Sequence, residues 1–214
     1  MIRYLYADEL SRFPRLADTM FRDRAAQFHE RLKWKDVTVD ADGWERDEYD
    51  DLNPLYVIWE EPDGRHGGSM RLLPTTGRTM VNDHFLNLTG GTRIESPLIW
   101  ECTRFCLAQG AKPRVSAALM LAGGEVLRGF GIQHYVGVFD AVMIRVYQML
   151  GGCPEILGMS GEGSNAIGVG LWEFSDTAHA KLLRRAQITA TQSEDWFAVA
   201  FPQGAKSASL ACAS

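Results

Sequence analysis

The chain has 214 residues, 46% of them hydrophobic, and a formal net charge of -5 at pH 7. This length provides one sizeable core, and because no linker rich in Gly, Ser or Pro interrupts it, a single domain is predicted. The acidic balance argues against a protein that coats nucleic acid. The start of the chain has no apolar signal region and no run is long enough to span a bilayer, so we predict a cytoplasmic protein without a membrane partner.

The cysteines give no sign of a metal site. Cys102, Cys106, Cys153 and Cys212 form neither a CxxC pair nor a zinc-binding spacing. Reduced and mostly buried thiols are therefore predicted, and no metal.

The first helix carries a candidate site residue. After a short strand at residues 4–6, apolar residues recur near the helical period and predict a helix from about Ser11 or Pro14 to about Glu30. Arg24 and Phe28 are four residues apart within it and share one face. A solvated charge and a core aromatic are the alternative interpretations of these two residues.

The stretch from residue 34 to residue 52 is acidic, yet it contains Trp34 and Trp44. Such a stretch is too charged for a core and too aromatic for a plain linker. It is typical of a loop that folds over a cationic ligand, and an acidic solvated loop is the alternative.

A β-hairpin follows, with strands predicted at 55–60 and 67–73 around a Pro-Asp-Gly turn, and Arg71 lies in its second strand. In the second half of the chain, predicted helices and strands alternate, which indicates an α/β arrangement. Helices are predicted at 115–130, at 141–150 with Asp140 as N-cap and Gly151 as stop, and from Ser175 to about 188. Strands are predicted at 134–139 and 168–174.

Residues 99–107, Ile-Trp-Glu-Cys-Thr-Arg-Phe-Cys-Leu, read as a buried central strand because β-branched and aromatic residues dominate. Buried charges are costly unless paired, so Glu101 and Arg104 indicate either a structural ion pair or a site. Side chains alternate in a regular strand, and these two would face opposite ways. We predict a β-bulge near Cys102 or Thr103 that turns both toward one cleft.

Together these residues resemble the signature of the acyl-homoserine-lactone synthases, the autoinducer synthases of bacterial quorum sensing. The resemblance is carried by Arg24, Phe28, Trp34, Asp47, Asp50, Arg71, Phe85 and the run Trp100-Glu101-x2-Arg104-Phe105. It covers roughly the first half of the chain and continues weakly beyond. The runs at 44–50, Trp-Glu-Arg-Asp-Glu-Tyr-Asp, and 70–77, Met-Arg-Leu-Leu-Pro-Thr-Thr-Gly, look like the branch that makes long-chain signals.

The resemblance implies an α/β fold like that of the N-acetyltransferases: a three-layer sandwich with a twisted, mixed, mostly antiparallel sheet flanked by helices. Residues 1–110 would form the S-adenosylmethionine-binding and catalytic half, 111–205 the acyl and carrier half, and 206–214 a tail. The implied reaction has two steps. The amine of S-adenosylmethionine attacks an acyl thioester, and its carboxylate then displaces methylthioadenosine to close the lactone.

The resemblance also implies roles for the site residues. S-adenosylmethionine, a substrate and not a cofactor, brings two cations and a carboxylate, so aromatics, acids and an arginine suit its pocket. Phe28 and Trp34 would shape the aromatic side, with Glu101 as base and Arg104 as partner of the carboxylate. Asp47 and Asp50 would supply the negative field, braced by Arg24, Arg71 and Arg104. A charge network that only fixes the loop to the sheet is the alternative.

The acyl half is less defined by the resemblance. Phe85, Phe105, Gly137, Met143 and Tyr147 are the candidate contacts of the acyl chain and phosphopantetheine, with core packing as the alternative. Gly137 stands where members that make 3-oxo signals tend to have Thr, so an unsubstituted or 3-hydroxy chain of medium to long length is predicted.

The thioester partner is an acyl carrier protein or acyl-CoA. An acidic carrier protein would dock on local basic residues. Candidates are Lys112, Arg114, Arg145, Lys181, Arg184 and Arg185, for which ordinary surface charge is the alternative. Two other functions stay open: an N-acyltransferase acting on another amine, and a non-catalytic sensor of acyl or adenosyl ligands.

Overall fold

The computed structural model describes residues 1–34, 36–150, 152–163 and 166–202. The predicted helix stop at Gly151, the thiol of Cys212 and the tail at 206–214 lie outside the described residues. No helix within these ranges combines the length and apolar character needed to cross a membrane.

In the part of the chain that the structure describes, seven strands form one mixed sheet in the order β1-β2-β3-β4-β5-β7-β6. Every neighbouring pair is antiparallel except β4 and β5, which are parallel. The predicted mixed, mostly antiparallel sheet is confirmed. The strands are β1 Ile2–Tyr6, β2 Leu55–Glu60, β3 His66–Pro74, β4 Ile99–Leu107, β5 His134–Asp140, β6 Glu155–Ser160 and β7 Ile167–Trp172.

Helices cover both faces of the sheet and give the three layers. They are α1 Pro14–Arg24, α2 Met80–His84, α3 Pro113–Phe130, α4 Met143–Leu150, α5 Asp176–Ala186 and α6 Ala190–Ala200. Short 3-10 helices span Ala7–Arg12, Asp50–Leu52 and Leu86–Thr89, and a π-helix spans Ala25–Arg31.

The main core lies between the sheet and helices α3, α5 and α6. Leu119 of α3, Met70 of β3 and Phe197 of α6 are all buried in it. A second core on the opposite face packs α1 against β2, with Met20 and Ile58 fully buried. The site residues of the first half lie on this second face, where polar side chains replace part of the apolar packing.

The bulge in β4 is confirmed, slightly later than predicted. Ser69 pairs with Cys106 and Arg71 with Thr103, so β4 has one more residue than β3 between the two pairs. Arg104 accommodates the extra residue by adopting a left-handed backbone conformation with a φ of 52°. A left-handed residue in a bulge re-aims its side chain, and Arg104 consequently reaches the same face of the sheet as Glu101.

β4 and β5 pair over three positions only, Ile99–Glu101 against His134–Val136. Beyond Glu101 this parallel ladder ends, while β4 continues to Leu107 on the β3 side. Glu101 therefore lies at the last rung, where the two central strands separate.

Several predicted boundaries are corrected by the structure. The helix expected from Pro14 to Glu30 changes from α to π after Arg24, with Leu32 N–H donating to Gln27 O at 3.0 Å. Asp140 is not an N-cap, because it pairs with Ile167 as the last residue of β5. The predicted cap at Ser175 is confirmed, since its hydroxyl accepts from Ala178 N–H at 3.2 Å.

Three further elements were not predicted: the short helix α2, the edge strand β6 and the last helix, α6. Helix α3 continues through Gly123 and Gly124 without interruption.

Candidate active site

A buried charge network joins α1, the acidic loop and the two central antiparallel strands. Arg24, at the end of α1, donates two hydrogen bonds to the Asp50 carboxylate at 2.9 and 2.8 Å. Its Nε donates to Glu45 at 2.6 Å. All three side chains are only 1% exposed. The Arg24 guanidinium is therefore fully engaged inside the protein and is not the solvated charge that its exposed neighbours on α1 suggest.

Arg71 forms the centre of the network from β3. Its Nη1 donates to Asp47 at 2.5 Å and to Asp50 at 2.8 Å, and Nη2 donates to the second Asp47 oxygen at 2.9 Å. Nε donates to the Thr103 hydroxyl of β4 at 3.1 Å. The fixed fork of the guanidinium thus joins the loop to the sheet.

Arg104 completes the network from the bulge. It approaches Glu45 at 3.0 Å and Asp47 at 2.7 Å. Its guanidinium carbon lies 5.4 Å from the centre of the Phe28 ring, a cation–π distance. With 8% of its side chain exposed, it is the most accessible of the three arginines.

The network balances its own charge, since three arginines face three carboxylates. Burial acts to raise the pKa of Asp50, but Arg24 and Arg71 outweigh burial and hold that pKa well below its usual range. The pKa of Asp47 is lowered too, chiefly by Arg71 against the effect of burial. Both carboxylates are therefore ionised at neutral pH.

Glu101 stands apart from these ion pairs. Its two carboxylate oxygens accept from the backbone N–H groups of Met80 at 3.0 Å and Val81 at 2.6 Å, at the start of α2. The residue is fully buried. Burial raises its pKa to about 7, against the N–H donors and Arg71, which lower it. A carboxylate with a pKa near neutrality is suited to accept a proton.

An open cavity of about 430 Å³ lies beside the network and is strongly acidic. Glu45, Asp47 and Arg104 belong to both the cavity lining and the network, while Glu101, Phe28 and Trp34 are not in the lining. The lining residues are Asp36, Thr38, Asp40, Glu45, Arg46, Asp47, Glu48, Asp51 and Arg104.

The aromatic pair of the site is formed. Phe28 and Trp34 stack with ring centres 4.9 Å apart and planes 16° from parallel. Phe28 is 2% exposed and Trp34 is 39% exposed. Trp34 therefore presents a face to solvent at the side of the network where Arg104 lies.

The residues predicted for the acyl chain are divided between the two faces of the sheet. Phe85 packs with Val136 beside α2. Tyr147 of α4 meets the Trp172 ring at 5.3 Å on the other face, and a Cβ built on Gly137 would be 3.4 Å from that same ring. Phe105 packs against the main core. Met143 begins α4. The structure does not bring these five side chains into one lining.

Sequence reasoning missed three residues that hold the site together. Glu45 pairs with both Arg24 and Arg104, and Tyr56 donates its hydroxyl to Asp50. Tyr49 donates to Asp83 of α2 at 3.1 Å. Glu45 was one of eight acidic residues in its stretch, and nothing in the sequence separates the buried acids from the solvated ones.

The fold is a mixed sheet, parallel between β4 and β5 and antiparallel elsewhere, with helices on both faces. A solved putative N-acetyltransferase from Lactobacillus plantarum has a similar fold, with a TM-score of 0.52 at 14% identity, covering 81% of this chain and 99% of its own. The protein has an N-acetyltransferase-like fold.

Comparison with known proteins gives the family. The model of the autoinducer synthase family matches residues 9–185. An acyl-homoserine-lactone synthase from Rhizobium etli is 41% identical over 183 residues, which is 82% of this chain and 85% of that protein. A solved CoA-dependent acyl-homoserine lactone synthase, in complex with SAM and isopentyl-CoA, has the same fold with a TM-score of 0.79 at 24% identity, covering 89% of this chain and 90% of its own.

The chain belongs to the autoinducer synthase family. It is an acyl-homoserine-lactone synthase, a transferase that makes quorum-sensing signals.

Proposed function

We propose that this synthase acylates the amine of S-adenosylmethionine with a thioester-bound acyl chain and then closes the lactone, with Glu101 as the base. One observation carries the proposal: a fully buried carboxylate whose pKa is about 7, at the point where the two central strands part. A proton acceptor is most effective when its pKa lies near the working pH.

The acidic cavity is the proposed site of S-adenosylmethionine. The network carboxylates are neutralised by the arginines and Asp51 is paired with Arg46, so an attractive field for a cation must come from the other acids of the lining: Asp36, Asp40 and Glu48. A sulfonium and an ammonium are both favoured there. The exposed face of Trp34, stacked on Phe28, is the proposed contact of the adenosyl end of a ligand that extends from this cavity.

Arg104 is the proposed partner of the substrate carboxylate. It lines the cavity and is the most exposed guanidinium of the network. Its Nε and Nη2 already meet Glu45 and Asp47, so a third carboxylate would be bound through Nη1. Arg24, Arg71 and Asp50, being buried among each other, would act by fixing Asp47 and Arg104, whereas Asp47 itself reaches the cavity.

The proposed chemistry balances as follows. The neutral amine attacks the thioester carbonyl, a C–N bond forms, and the C–S bond breaks with its electron pair on sulfur, which leaves as a thiolate. Glu101 takes the proton that the nitrogen gives up, directly or through one water, and that proton then passes to the thiolate. In the second step a carboxylate oxygen of the acylated substrate attacks the carbon bonded to the sulfonium. The C–S bond breaks with its electron pair on sulfur, and neutral methylthioadenosine leaves.

The acyl chain is proposed to be of medium to long length and not 3-oxo. Gly137 provides no hydroxyl that could hydrogen-bond a 3-oxo group, and its Cα position is tightly enclosed, with Cys102 O only 2.9 Å from a built Cβ. Apolar side chains on both sides of β5, such as Val136 and Trp172, give a tail apolar contacts.

An acyl carrier protein is proposed as the donor. Helix α3 follows the turn after β4, and its first residue is Pro113. Because proline has no backbone N–H, this position offers no hydrogen-bond donor to a pyrophosphate. Lys112 and Arg114 flank that proline beside the end of β4 and would attract an acidic carrier. Cytoplasmic location, where thioesters and S-adenosylmethionine are made, is part of this proposal.

The test is mass spectrometry of the purified protein incubated with S-adenosylmethionine and a panel of acyl carrier proteins and acyl-CoAs of graded length. We expect methylthioadenosine and one acyl-homoserine lactone in equal amounts, fastest from an acyl carrier protein with an unsubstituted or 3-hydroxy chain. Thioester consumption without methylthioadenosine would mean an N-acyltransferase acting on another amine. Tight binding with no turnover would mean a sensor, and faster turnover of acyl-CoA would overturn the carrier assignment alone.

A further inference from the structure

Helix α2 is too short to hold its own position. It has five residues, Met80–His84, and a helix of this length is not stable in isolation because too few hydrogen bonds offset the cost of forming the first turn. Its orientation must come from contacts with other elements. These contacts matter because α2 supplies both N–H donors of Glu101.

At its start α2 depends on Glu101 instead of on its own cap. Thr79 occupies the N-cap position but its side chain makes no cap hydrogen bond. The Thr79 hydroxyl is buried and has no hydrogen-bond partner in the part of the chain that the structure describes. The Glu101 carboxylate therefore takes the N–H groups of Met80 and Val81 without competition from the threonine.

At the other end of α2, Tyr49 anchors the helix through Asp83. Its hydroxyl donates to the Asp83 carboxylate at 3.1 Å, and Arg78 donates to the same oxygen at 2.9 Å. Tyr49 is 2% exposed, and the guanidinium carbons of Arg71 and Arg78 lie 5.6 and 5.5 Å from its ring centre. Its N–H donates to Asp47 at 2.9 Å. One side chain thus connects the charge network with α2.

We propose that Tyr49 is a positioning residue of the synthase: through Asp83 and α2 it aims the N–H groups of Met80 and Val81 at Glu101. The proposal rests on the proposed function, because it acts through Glu101 as the base. Donation of N–H groups stabilises a carboxylate, so loosening α2 makes Glu101 harder to ionise.

The other groups that act on Glu101 do not belong to α2. Arg71 faces it from β3 and Asp47 from the acidic loop, and their charges have opposite effects on its pKa. Cys102, the next residue on β4, has a pKa raised by burial to about 12 and stays neutral. Burial and the neighbouring Asp83 raise the pKa of Tyr49 well above its ordinary value, so it also stays neutral. Removing the Tyr49 hydroxyl leaves all of these charges in place.

The experiment compares Tyr49→Phe with wild type in kcat, KM for S-adenosylmethionine and the pH profile of kcat. We expect kcat to fall about 10-fold, the effect of misaligning a hydrogen bond to a charged group. KM for S-adenosylmethionine should not change, and the acidic limb should move to higher pH. Tyr4→Phe is the matched control, because it removes one buried hydroxyl that donates to Ala122 O on the opposite face of the sheet. It should leave the profile unchanged.

Asp83→Ala tests the same connection from the other side, with a side chain that is partly exposed. It must give the same direction of shift, including in the event that Tyr49→Phe folds poorly. In a Glu101→Gln background, Tyr49→Phe should reduce turnover no further, because both changes act on one group.

A Tyr49→Phe profile that superimposes on wild type would overturn the proposal, as would a change confined to KM or a full additional loss in the Glu101→Gln background. These outcomes are separate from a failure of the proposed function. If the Glu101→Gln variant had a normal turnover rate, Glu101 would not be the base, whatever the pH profile of the Tyr49→Phe variant.

Discussion

Removal of the Glu101 charge is the sharpest test at the scale of the residue. Glu101→Gln keeps the size of the side chain and should lower turnover about 100-fold, because a positioned base contributes at least that factor. The wild-type rate should rise with pH through an apparent pKa of about 7, since only the ionised carboxylate accepts a proton. The rate of methylthioadenosine release, measured across pH, tests both the loss of turnover in the variant and the pH dependence of the wild type. Glu95→Gln, on an exposed side chain, is the control, and equal rates for the two variants would exclude Glu101 from the chemistry.

Removal of one buried network charge should be costly to folding. Asp50→Asn leaves the guanidinium groups of Arg24 and Arg71 without their shared carboxylate, and breaking a buried pair from one side costs about 3–5 kcal/mol. Urea denaturation of the variant measures this free energy of unfolding. Asp51→Asn, at a side chain 76% exposed, should change it by less than about 0.5 kcal/mol. Similar losses for the two variants would mean that the network does not stabilise the fold.

The sequence predicted that these charged residues act together, but it did not predict which of them are buried and which line the cavity. Arg24, Asp47, Asp50, Arg71 and Arg104 do come together. Their spacing in the sequence could not indicate that Asp50 and Arg24 are fully buried, because burial depends on how α1 closes over the sheet. The engagement of Arg104 by Glu45 depends on the positive φ of Arg104, which no sequence pattern here specifies.

At the scale of the element, Gly137 permits the close approach of β4 and β5 because it has no Cβ. A Cβ at this position would lie 2.9 Å from Cys102 O, and a backbone atom cannot move aside as a side chain can. Gly137→Ala should therefore destabilise the protein by about 1–3 kcal/mol, as overpacking does. Gly152→Ala, whose Cβ would be 3.8 Å from Met120 Cε, is the control. Urea midpoints that match between the two variants would show that the strands separate more easily than this contact suggests.

The elements differ in how far local sequence decides them. The β2–β3 hairpin and the Ser175 cap follow from turn and cap chemistry and were predicted. Asp140 has the chemistry of a cap as well, but the ladder with Ile167 holds it in β5. The π-helix after Arg24 and the edge strand β6 depend on packing with distant parts of the chain, which a local pattern does not contain.

For the molecule as a whole, Glu101 and Asp50 give stability opposite dependences on pH. The raised pKa of Glu101 contributes stability below its ordinary value of 4.5, and that contribution is lost as pH rises to about 7, by roughly 3 kcal/mol. The lowered pKa of Asp50 contributes stability above its ordinary value of 3.8, and that is lost as pH falls below it.

Free energies of unfolding measured from pH 3 to pH 8 should therefore be highest between pH 3.8, below which the contribution of Asp50 is lost, and pH about 7, by which the contribution of Glu101 is lost. Glu101→Gln should remove the decline on the alkaline side while leaving the acid side intact. A decline of equal size in that variant would mean that another group titrates there.

The order of the strands also has a consequence for synthesis of the protein. β1 to β4 are neighbours in the sheet in the same order as in the chain, and every member of the charge network lies between Arg24 and Arg104. Helices α3, α5 and α6, which cover the other face of these strands, come later. A nascent chain on the ribosome thus possesses all the paired charges before it possesses the helices that bury the opposite, apolar face of the same strands. The active site can mature only when the second half of the polypeptide has emerged.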